Sequence, residues 1–201
     1  MKRLFKIVFF GVCNWYFKYR FRKSIKSVDE KGEVYLVDID NTLADTWPSL
    51  QQYVYRNESH RYESLSIFIG MRKYLLDKTR SKKRIIFISA RSYLDYFSTR
   101  KWLSANGLNP DCIILVRRAE DKLDYINEVL SKGISTVYID DLSYGHEFGE
   151  MKLYEKVISK LKKLPIKYLG VKEIELINSA YETSNKGAKK GITYFKNYSS
   201  N

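Results

Sequence analysis

Two aspartates one residue apart follow an apolar segment in the first quarter of the chain. Residues 34–37 have the composition of a buried strand, and Asp38 and Asp40 come directly after them. Carboxylates crowded at the end of a buried strand repel each other and resist losing their hydration. A positive charge between them offsets that repulsion, and a metal ion is the occupant that this pattern favours.

Three later apolar segments also end in polar or charged residues. In a parallel sheet the carboxyl ends of the strands meet at one edge, and active sites lie just beyond that edge. Polar residues that end successive strands are therefore expected to gather in one place. The segments and their terminal residues are 84–89 with Ser89, 112–116 with Arg117 and Arg118, and 135–141 with Asp140 and Asp141.

Strand-like segments alternate with helix-like segments along the chain. This alternation predicts βαβ units and an α/β fold with a mainly parallel central sheet. The predicted helices are 49–55, 66–78, 92–107, 120–133 and 151–163, and the predicted fifth strand is 166–170.

Acids that converge from two strand ends form a site of hard oxygen ligands, which suits Mg²⁺ together with a substrate phosphate. One carboxylate held there can attack phosphorus, and a second can protonate the leaving oxygen and then activate water. Ser89 can donate a hydrogen bond to the phosphoryl group, and Lys122, near the start of a predicted helix, can neutralise developing charge. These residue types predict phosphoryl transfer, which depends mainly on positioning and electrostatics.

The order of these motifs resembles that of the haloacid dehalogenase-like superfamily of phosphatases. The first motif of that family is an apolar strand followed by DxDxT, which is residues 38–42 here. The second is a strand ending in Ser or Thr, here Ser89, and the third is a lysine near a helix start, here Lys122. The fourth is a pair of acids after a strand, here 140–141, and Glu147 is a candidate further acid.

The resemblance covers residues 34–147, a little over half of the chain, and it implies roles for individual residues. Asp38 would be the nucleophile, which forms an aspartyl-phosphate, and Asp40 would be the general acid and base. Ser89 and Lys122 would hold the phosphoryl oxygens. Arg117 and Arg118 are alternatives to Lys122, since they also follow a strand.

The resemblance also implies a metal site and a fold. Magnesium would be bound by Asp38, by the backbone carbonyl of Asp40, and by Asp140 or Asp141. The fold would be a Rossmann-like three-layer α/β/α sandwich.

Four residues near the strand ends are candidates for binding the substrate: Thr42, Arg91, Arg117 and Arg118. The three arginines lie just past strand ends, which favours contact with a substrate phosphate. The alternative for them is that they are solvated surface charges.

Charge is distributed unevenly and suggests three regions. The chain carries a net charge of +13, of which residues 1–30 hold +6 and residues 151–201 hold +7, whereas residues 31–150 are neutral. We therefore predict a basic, aromatic N-terminal segment at 1–30, a catalytic domain at 31–175 and a basic tail at 176–201. Basic ends indicate an acidic partner such as membrane headgroups, nucleic acid or a polyanionic substrate.

The N-terminal segment has two readings. Its apolar stretch, residues 7–17, is much shorter than the roughly 20 residues that span a bilayer. Its aromatic residues, flanked by Lys and Arg, suit a helix lying on an anionic membrane surface. The alternative is a first helix packed on the domain. The two cysteines, Cys13 and Cys112, have no metal-binding spacing, which fits a reducing, cytoplasmic location, with peripheral contact at the inner membrane face as an extension.

The short insertion between the first two strands predicts a small cap or none, and so an open site. The favoured function is hydrolysis of a phosphorylated sugar, lipid or glycan precursor near the membrane. A nucleic-acid end-processing enzyme similar to polynucleotide 3′-phosphatases is the first alternative, and a non-enzymatic binding protein on the same fold is the second. The sequence leaves the oligomeric state open.

Overall fold

A computed structural model describes residues 2–28, 32–51, 57–110 and 112–183. The predicted tail beyond residue 183 and residues 52–56, which include most of the predicted helix 49–55, lie outside the described residues.

The described residues form strands of two kinds, longer ones in a central sheet and two-residue ones in two small two-stranded sheets. In chain order the strands are β1 (Glu33–Val37), β2 (Ala44–Asp45), β3 (Ser66–Ile67), β4 (Arg84–Ser89), β5 (Cys112–Leu115), β6 (Ser135–Ile139), β7 (Ser143–Tyr144), β8 (Lys152–Leu153) and β9 (Lys167–Leu169).

Helices connect these strands. In chain order they are α1 (Lys2–Lys26), α2 (Trp47–Leu50), α3 (Glu58–Glu63), α4 (Ile69–Arg80), α5 (Tyr96–Ala105), α6 (Lys122–Leu130), α7 (Glu155–Leu161) and α8 (Val171–Thr183). Short 3₁₀ turns precede α5 and α6.

The central sheet has five strands in the order β5-β4-β1-β6-β9, and every neighbouring pair is parallel. Helices flank the sheet, which confirms the predicted Rossmann-like three-layer architecture. Strand β1 lies at the centre and is buried along nearly all of its length. Both of its faces are covered, which is why residues 34–37 are apolar without alternation.

The register of the central strands brings their carboxyl ends to one level. Val37 of β1 lies beside Phe87 of β4 on one side and beside Ile139 of β6 on the other. The residues that follow, Asp38 and Asp140, therefore leave the sheet side by side. This edge of the sheet positions the candidate site.

Helix α1 packs along the edge strand β5, between α5 and α6. Phe17, Phe21 and Ile25 are buried in the hydrophobic core, and the Phe21 ring meets the Tyr125 ring edge-on with centroids 4.9 Å apart. The helix thereby covers the sheet edge at β5, which would otherwise expose unpaired backbone groups. Phe17, Phe21 and Ile25 thus belong to the same core as the rest of the domain.

Helix α8 packs against α4 at the other end of the chain. The side-chain Oδ1 of Asn178 accepts a hydrogen bond of 2.8 Å from the backbone N–H of Met71. A Cβ at Gly70 would lie 2.4 Å from the Cα of Asn178, so glycine is what permits this close approach. Residues 176–183, the first part of the predicted basic tail, lie in α8, and the domain division stays a prediction.

Two predicted helices begin later than the sequence pattern indicated. Residues 66–67 form β3, which pairs with β2, and helix α4 begins only at Ile69. Residues 152–153 form β8, which pairs with β7, and α7 begins only at Glu155. In both places the chain satisfies backbone groups in a short antiparallel pairing before it turns into a helix. Among the described residues, no helix combines the length and apolarity needed to cross a membrane.

The burial of α1 predicts different costs for two aromatic truncations on that helix. Phe21→Ala should lower the free energy of unfolding by about 3–5 kcal/mol, because Phe21 is fully buried. Trp15→Ala should change it by less than about 0.5 kcal/mol, because Trp15 is 68% exposed. Urea denaturation followed by circular dichroism measures both. Equal, small effects of the two substitutions would contradict the packing of α1 on the domain.

Candidate active site and metal centre

A tight turn follows β1 and carries the first pair of acids. The backbone N–H groups of Leu43 and Ala44 both donate to the carbonyl of Ile39, at 2.9 and 2.8 Å. Asn41 has a positive φ of 54°, a conformation that asparagine tolerates better than most residues. The turn leaves Asp38 buried at the end of the strand and Asp40 partly exposed.

Asp38, Asp140 and Asp141 form a buried cluster. Each offers a carboxylate oxygen, and these oxygens lie within 4.8 Å of one another. The three residues come from the carboxyl ends of adjacent strands β1 and β6, as the sequence pattern predicted. Hard carboxylate oxygens at this separation suit a divalent cation such as Mg²⁺ or Ca²⁺.

Lys122 places its ammonium between two of these acids. Its Nζ donates to Oδ1 of Asp38 at 2.7 Å and to Oδ2 of Asp140 at 2.6 Å. The side chain comes from the first residue of α6 and is almost fully buried. Burial alone would lower the pKa of Lys122, but Asp140 and Asp38 outweigh burial and raise it. Lys122 is therefore held as a cation.

Electrostatics of the cluster favour an additional cation. Three carboxylates and one ammonium leave two uncompensated negative charges when all are ionised. Burial raises the pKa of Asp38 well above its usual value, the ammonium of Lys122 opposes that rise, and Asp140 adds to it. Burial and the charge of Asp140 raise the pKa of Asp141 to about 7. A divalent cation would neutralise the excess, so the residues present fit such an ion.

Asp140 is fixed from three directions. The hydroxyl of Tyr138 donates to Oδ2 of Asp140, the same oxygen that Lys122 contacts, and the N–H of Leu142 donates to Oδ1 at 2.8 Å. Leu142 has a φ of 47°, in the left-handed region that a leucine rarely adopts. Strain of this kind persists only where the surroundings enforce it, and it is common at functional sites.

Asp141 links the two strand ends. The hydroxyl of Thr42 donates to Oδ1 of Asp141 at 3.0 Å and accepts from the N–H of Asp141 at 3.0 Å. The hydroxyl of Ser143 donates to the other carboxylate oxygen and lies 2.7 Å from Nε2 of His146. Burial lowers the pKa of His146, which favours its neutral form. Thr42 thus joins the turn after β1 to the turn after β6.

Asp40 forms a bidentate ion pair with Arg91. Nε and Nη2 of Arg91 donate to the two carboxylate oxygens, each at 2.8 Å, and Thr46 and Ser89 add hydrogen bonds of 2.9 and 3.1 Å. Burial disfavours the charged form of Asp40, but Arg91 and the two hydroxyl donors outweigh it and lower the pKa to about 2. In this arrangement Asp40 is an ionised carboxylate.

The guanidinium of Arg91 also packs on an aromatic ring. Its guanidinium carbon lies 3.9 Å from the centroid of the Tyr62 ring, and its Nη1 donates to Thr99 at 3.1 Å. Tyr62 belongs to α3, in the short insertion between β2 and β4. Tyr62 therefore covers the guanidinium that pairs with Asp40.

A small pocket of about 160 Å³ opens onto the acids. Its lining includes six of the residues predicted from the sequence: Asp38, Asp40, Ser89, Lys122, Asp140 and Asp141. The volume is too small for a whole metabolite, but it accommodates a phosphoryl group with the rest of a substrate outside.

The four predicted substrate-binding residues lie in different surroundings. Thr42 and Arg91 are buried and engaged with Asp141 and Asp40. Arg118 is exposed and pairs with Asp121 at 3.1 Å, and Arg117 lies over the Phe10 ring at 4.8 Å. Arg117 and Arg118 line a separate groove beside α1 rather than the acid pocket. The assignment of all four to substrate binding stays a prediction.

Sequence reasoning missed four residues that hold the acids in place: Thr46, Tyr138, Leu142 and Ser143. Each is a common residue type in a position that local patterns assign to a strand, a turn or the core. Thr46, the residue after β2, offered one weak signal, since it is a second threonine close behind the DxDxT motif.

Comparisons with known proteins add little to this picture. No protein-family model matches the chain, and no curated protein matches it either. Among solved structures, the chain is similar to the structure of a Pnkp1/Rnl/Hen1 complex, with 12% sequence identity and a TM-score of 0.48. The alignment covers 70% of this chain and 46% of that chain, so this chain spans less than half of the length of the one it matches. The functional conclusion therefore depends on the geometry of the site.

The two arginine–aspartate pairs near the site predict unequal contributions to stability. Arg91→Gln should cost about 2–4 kcal/mol, because it leaves Asp40 without its buried partner, and partial exposure of Asp40 keeps the cost below that of a fully buried pair. Arg118→Gln should cost less than about 1 kcal/mol, because its pair with Asp121 is exposed. Chemical denaturation measures both. A loss for Arg91→Gln no larger than that for Arg118→Gln would contradict the structural role of the Arg91–Asp40 pair.

Proposed function

We propose that the protein is a Mg²⁺-dependent phosphomonoester hydrolase that acts through an aspartyl-phosphate on Asp38. The observation that carries the proposal is the buried cluster of Asp38, Asp140 and Asp141 with Lys122 between two of its members. A carboxylate, a site for a divalent cation and a fixed ammonium at the end of parallel strands are the parts that phosphoryl transfer needs. The proposal also agrees with the resemblance of the motifs to haloacid dehalogenase-like phosphatases.

The residues divide the chemistry between them. A carboxylate oxygen of Asp38 attacks the phosphorus of the substrate, and the bond from phosphorus to the leaving oxygen breaks. The leaving oxygen takes a proton from Asp40. Water then attacks the phosphorus of the aspartyl-phosphate and gives a proton to Asp40, which releases phosphate and restores the carboxylate of Asp38.

Ser89 and Lys122 are assigned to the phosphoryl oxygens. Both line the same pocket as Asp38, and both are held by hydrogen bonds to site acids. An ammonium that is already buried and fixed stabilises developing negative charge without reorganising. When bound among Asp38, Asp140 and Asp141, Mg²⁺ would supply further stabilisation of the phosphoryl charge.

The Arg91–Asp40 pair sets a condition on the acid step. An aspartate with a pKa of about 2 carries no proton near neutral pH, so it cannot act as an acid while the pair is intact. Asp40 must separate from Arg91 and take a proton before it can protonate a leaving oxygen. Tyr62 and α3, which pack on Arg91, are the elements that a bound substrate would have to shift.

The openness of the site bears on the substrate. The described part of the insertion between β2 and β4 consists of short elements, and the acid pocket holds little more than a phosphoryl group. We therefore assign the enzyme to substrates whose bulk stays outside the pocket, such as phosphorylated sugars, lipids or glycan precursors. A 3′-phosphorylated nucleic-acid end meets the same condition and is the alternative substrate.

The first test of the proposal is hydrolysis of p-nitrophenyl phosphate. Activity should require Mg²⁺, and Asp38→Asn should lower kcat by at least about 10³-fold, because an amide cannot form the acyl-phosphate. Asp124→Asn, at an exposed aspartate outside the cluster, is the matched control and should retain activity. Wild-type protein that is as inert as Asp38→Asn, across phosphorylated sugars, phosphatidate and a 3′-phosphorylated oligonucleotide, would refute the proposal and favour a binding protein.

Metal binding can be tested without activity. Saturating Mg²⁺, at about 100 times its Kd, should stabilise the fold by about 2.7 kcal/mol, and so raise Tm by roughly 5–10 °C. The gain should disappear in Asp141→Asn, which removes one charge from the cluster, and persist in Asp124→Asn. Thermal unfolding with Mg²⁺ and with a chelator measures it. A Tm that Mg²⁺ shifts equally in both variants would place the ion elsewhere.

A further inference from the structure

Helix α1 exposes a second apolar face, which we call the outer face. It consists of Val8, Val12, Trp15 and Tyr19, whose side chains are 57%, 59%, 68% and 54% exposed. Their spacing of four, three and four residues places them on one side of the helix. The rings of Trp15 and Tyr19 stack with centroids 6.0 Å apart. At 1.5 Å per residue the outer face is about 16 Å long.

The outer face lies nearly opposite the face that packs on the domain. Phe17, Phe21 and Ile25 are buried on that inner face. Two apolar faces leave only narrow strips for polar residues, which explains why the sequence shows no single polar side. The inner face joins the hydrophobic core, whereas the four residues of the outer face are more than half exposed.

The outer face is set in a strongly cationic helix. Between Ile7 and Val28 the chain has five Lys or Arg residues and no acid. Lys18 and Arg22 pair with Asp124 and Glu128 on α6, and these pairs hold the helix in its orientation. Lys23 and Lys26 are exposed toward the carboxyl end of the helix.

We infer that the outer face of α1 docks on an anionic lipid bilayer. Exposed valines lose unfavourable contact with water when they enter the interfacial region, and Trp and Tyr are the residues enriched there. Lysines on the same helix complement anionic headgroups. Nucleic acid would match the charge but gives Val8 and Val12 nothing apolar to bury against. A second copy of the chain would bring two cationic helices together.

The docking face and the candidate site lie at the same end of the domain. Phe10 contacts Tyr93 and Arg117, which follow the carboxyl ends of β4 and β5, whereas Ser27 hydrogen-bonds Arg84 at the start of β4. Helix α1 thus runs antiparallel to the strands, and Phe10 lies toward the end of the sheet that carries the acids. If the proposed phosphatase activity holds, the substrate is a phosphomonoester presented at the membrane surface.

The experiment uses Trp15 as a native reporter of docking. Vesicles of equal parts phosphatidylcholine and phosphatidylglycerol should bind the full chain in sedimentation and shift the tryptophan emission to the blue. Trp15→Phe should still bind but lose most of the shift, since Trp102 is buried in the core and Trp47, which is partly buried, packs on His146 away from α1. Vesicles of phosphatidylcholine alone should bind at least roughly tenfold more weakly, because they lack the charge.

Paired variants separate the outer face from general hydrophobicity. Val8→Ser with Val12→Ser should weaken vesicle binding by roughly tenfold or more, because both side chains would otherwise be buried in the interface. Ile69→Ser with Leu176→Ser is the matched control on α4 and α8, at positions 56% and 69% exposed, and should bind as the wild type does. Lys23→Glu with Lys26→Glu should also weaken binding roughly tenfold or more.

Three results would overturn the inference. The first is an absence of vesicle binding by the wild type. The second is binding that Val8→Ser with Val12→Ser leaves unchanged. The third is evidence for another partner of this face. Such evidence would be a dimer in sedimentation velocity that this same variant dissociates, or an oligonucleotide that displaces the protein from vesicles.

Catalysis and docking can fail separately. Asp38→Asn should bind vesicles like the wild type, and the valine double variant should hydrolyse p-nitrophenyl phosphate normally. Inert protein that still binds vesicles would refute the proposed activity alone. Active protein that does not bind them would refute the docking alone.

Discussion

The ammonium of Lys122 between Asp38 and Asp140 is the interaction on which the site depends. Burial and the charge of Asp140 raise the pKa of both Asp38 and Asp141, and the charge of Lys122 opposes that rise. Lys122 in turn stays charged in the protein interior only because two carboxylates contact it. The charge of Lys122 and the charges of the carboxylates that contact it stabilise one another. Full ionisation of the three acids would leave two negative charges, which a divalent cation would neutralise.

The central sheet holds these acids close together, because β1 and β6 are neighbouring strands. β1 lies between β4 and β6 and is buried along nearly all of its length, so Asp38 follows a strand that is paired on both sides. The site acids do not rely on long flexible loops. Thr42 joins the turn after β1 to Asp141, and the left-handed conformation of Leu142 lets its N–H reach Asp140. Strands β1 and β6 thus set the positions of the acids, and the turns that follow them orient the acid side chains.

The sequence was sufficient for the sheet and for the residues that converge on the pocket. Buried parallel strands are continuous apolar runs, and their carboxyl ends must share an edge, so Asp38, Ser89 and Asp140 could be brought together without coordinates. Tyr138 could not be found in this way, because it looks like one more core residue of β6, and only the structure shows its hydroxyl on Asp140. The pairing of Arg91 with Asp40 joins residues 51 positions apart, which no local pattern encodes.

Helix α1 shows a different limit of sequence patterns. In a helix with one apolar face, the apolar residues recur with a period of 3.6 and so predict which side is buried. In a helix with two nearly opposite apolar faces this asymmetry is lost, and the sequence no longer predicts the buried side. The sequence pattern therefore leaves a membrane-surface helix and a packed helix as two alternatives. The structure places Phe21 in the core and leaves Trp15 exposed on the same helix, so the two readings are compatible.

The Asp40–Arg91 pair joins stability to catalysis in the proposed mechanism. A bidentate ion pair with a buried guanidinium stabilises the resting site, yet it holds Asp40 in the ionised state that is wrong for donating a proton. After a leaving group has departed, the same ionised state is the one required to accept a proton from water. A carboxylate with a pKa of about 2 is also a weak base, however, so the pair opposes proton transfer in both halves of the reaction, and substrate binding would have to break it. Since Tyr62 packs on Arg91, α3 is the element through which substrate binding would act on the pair, which gives α3 a function in the proposed mechanism.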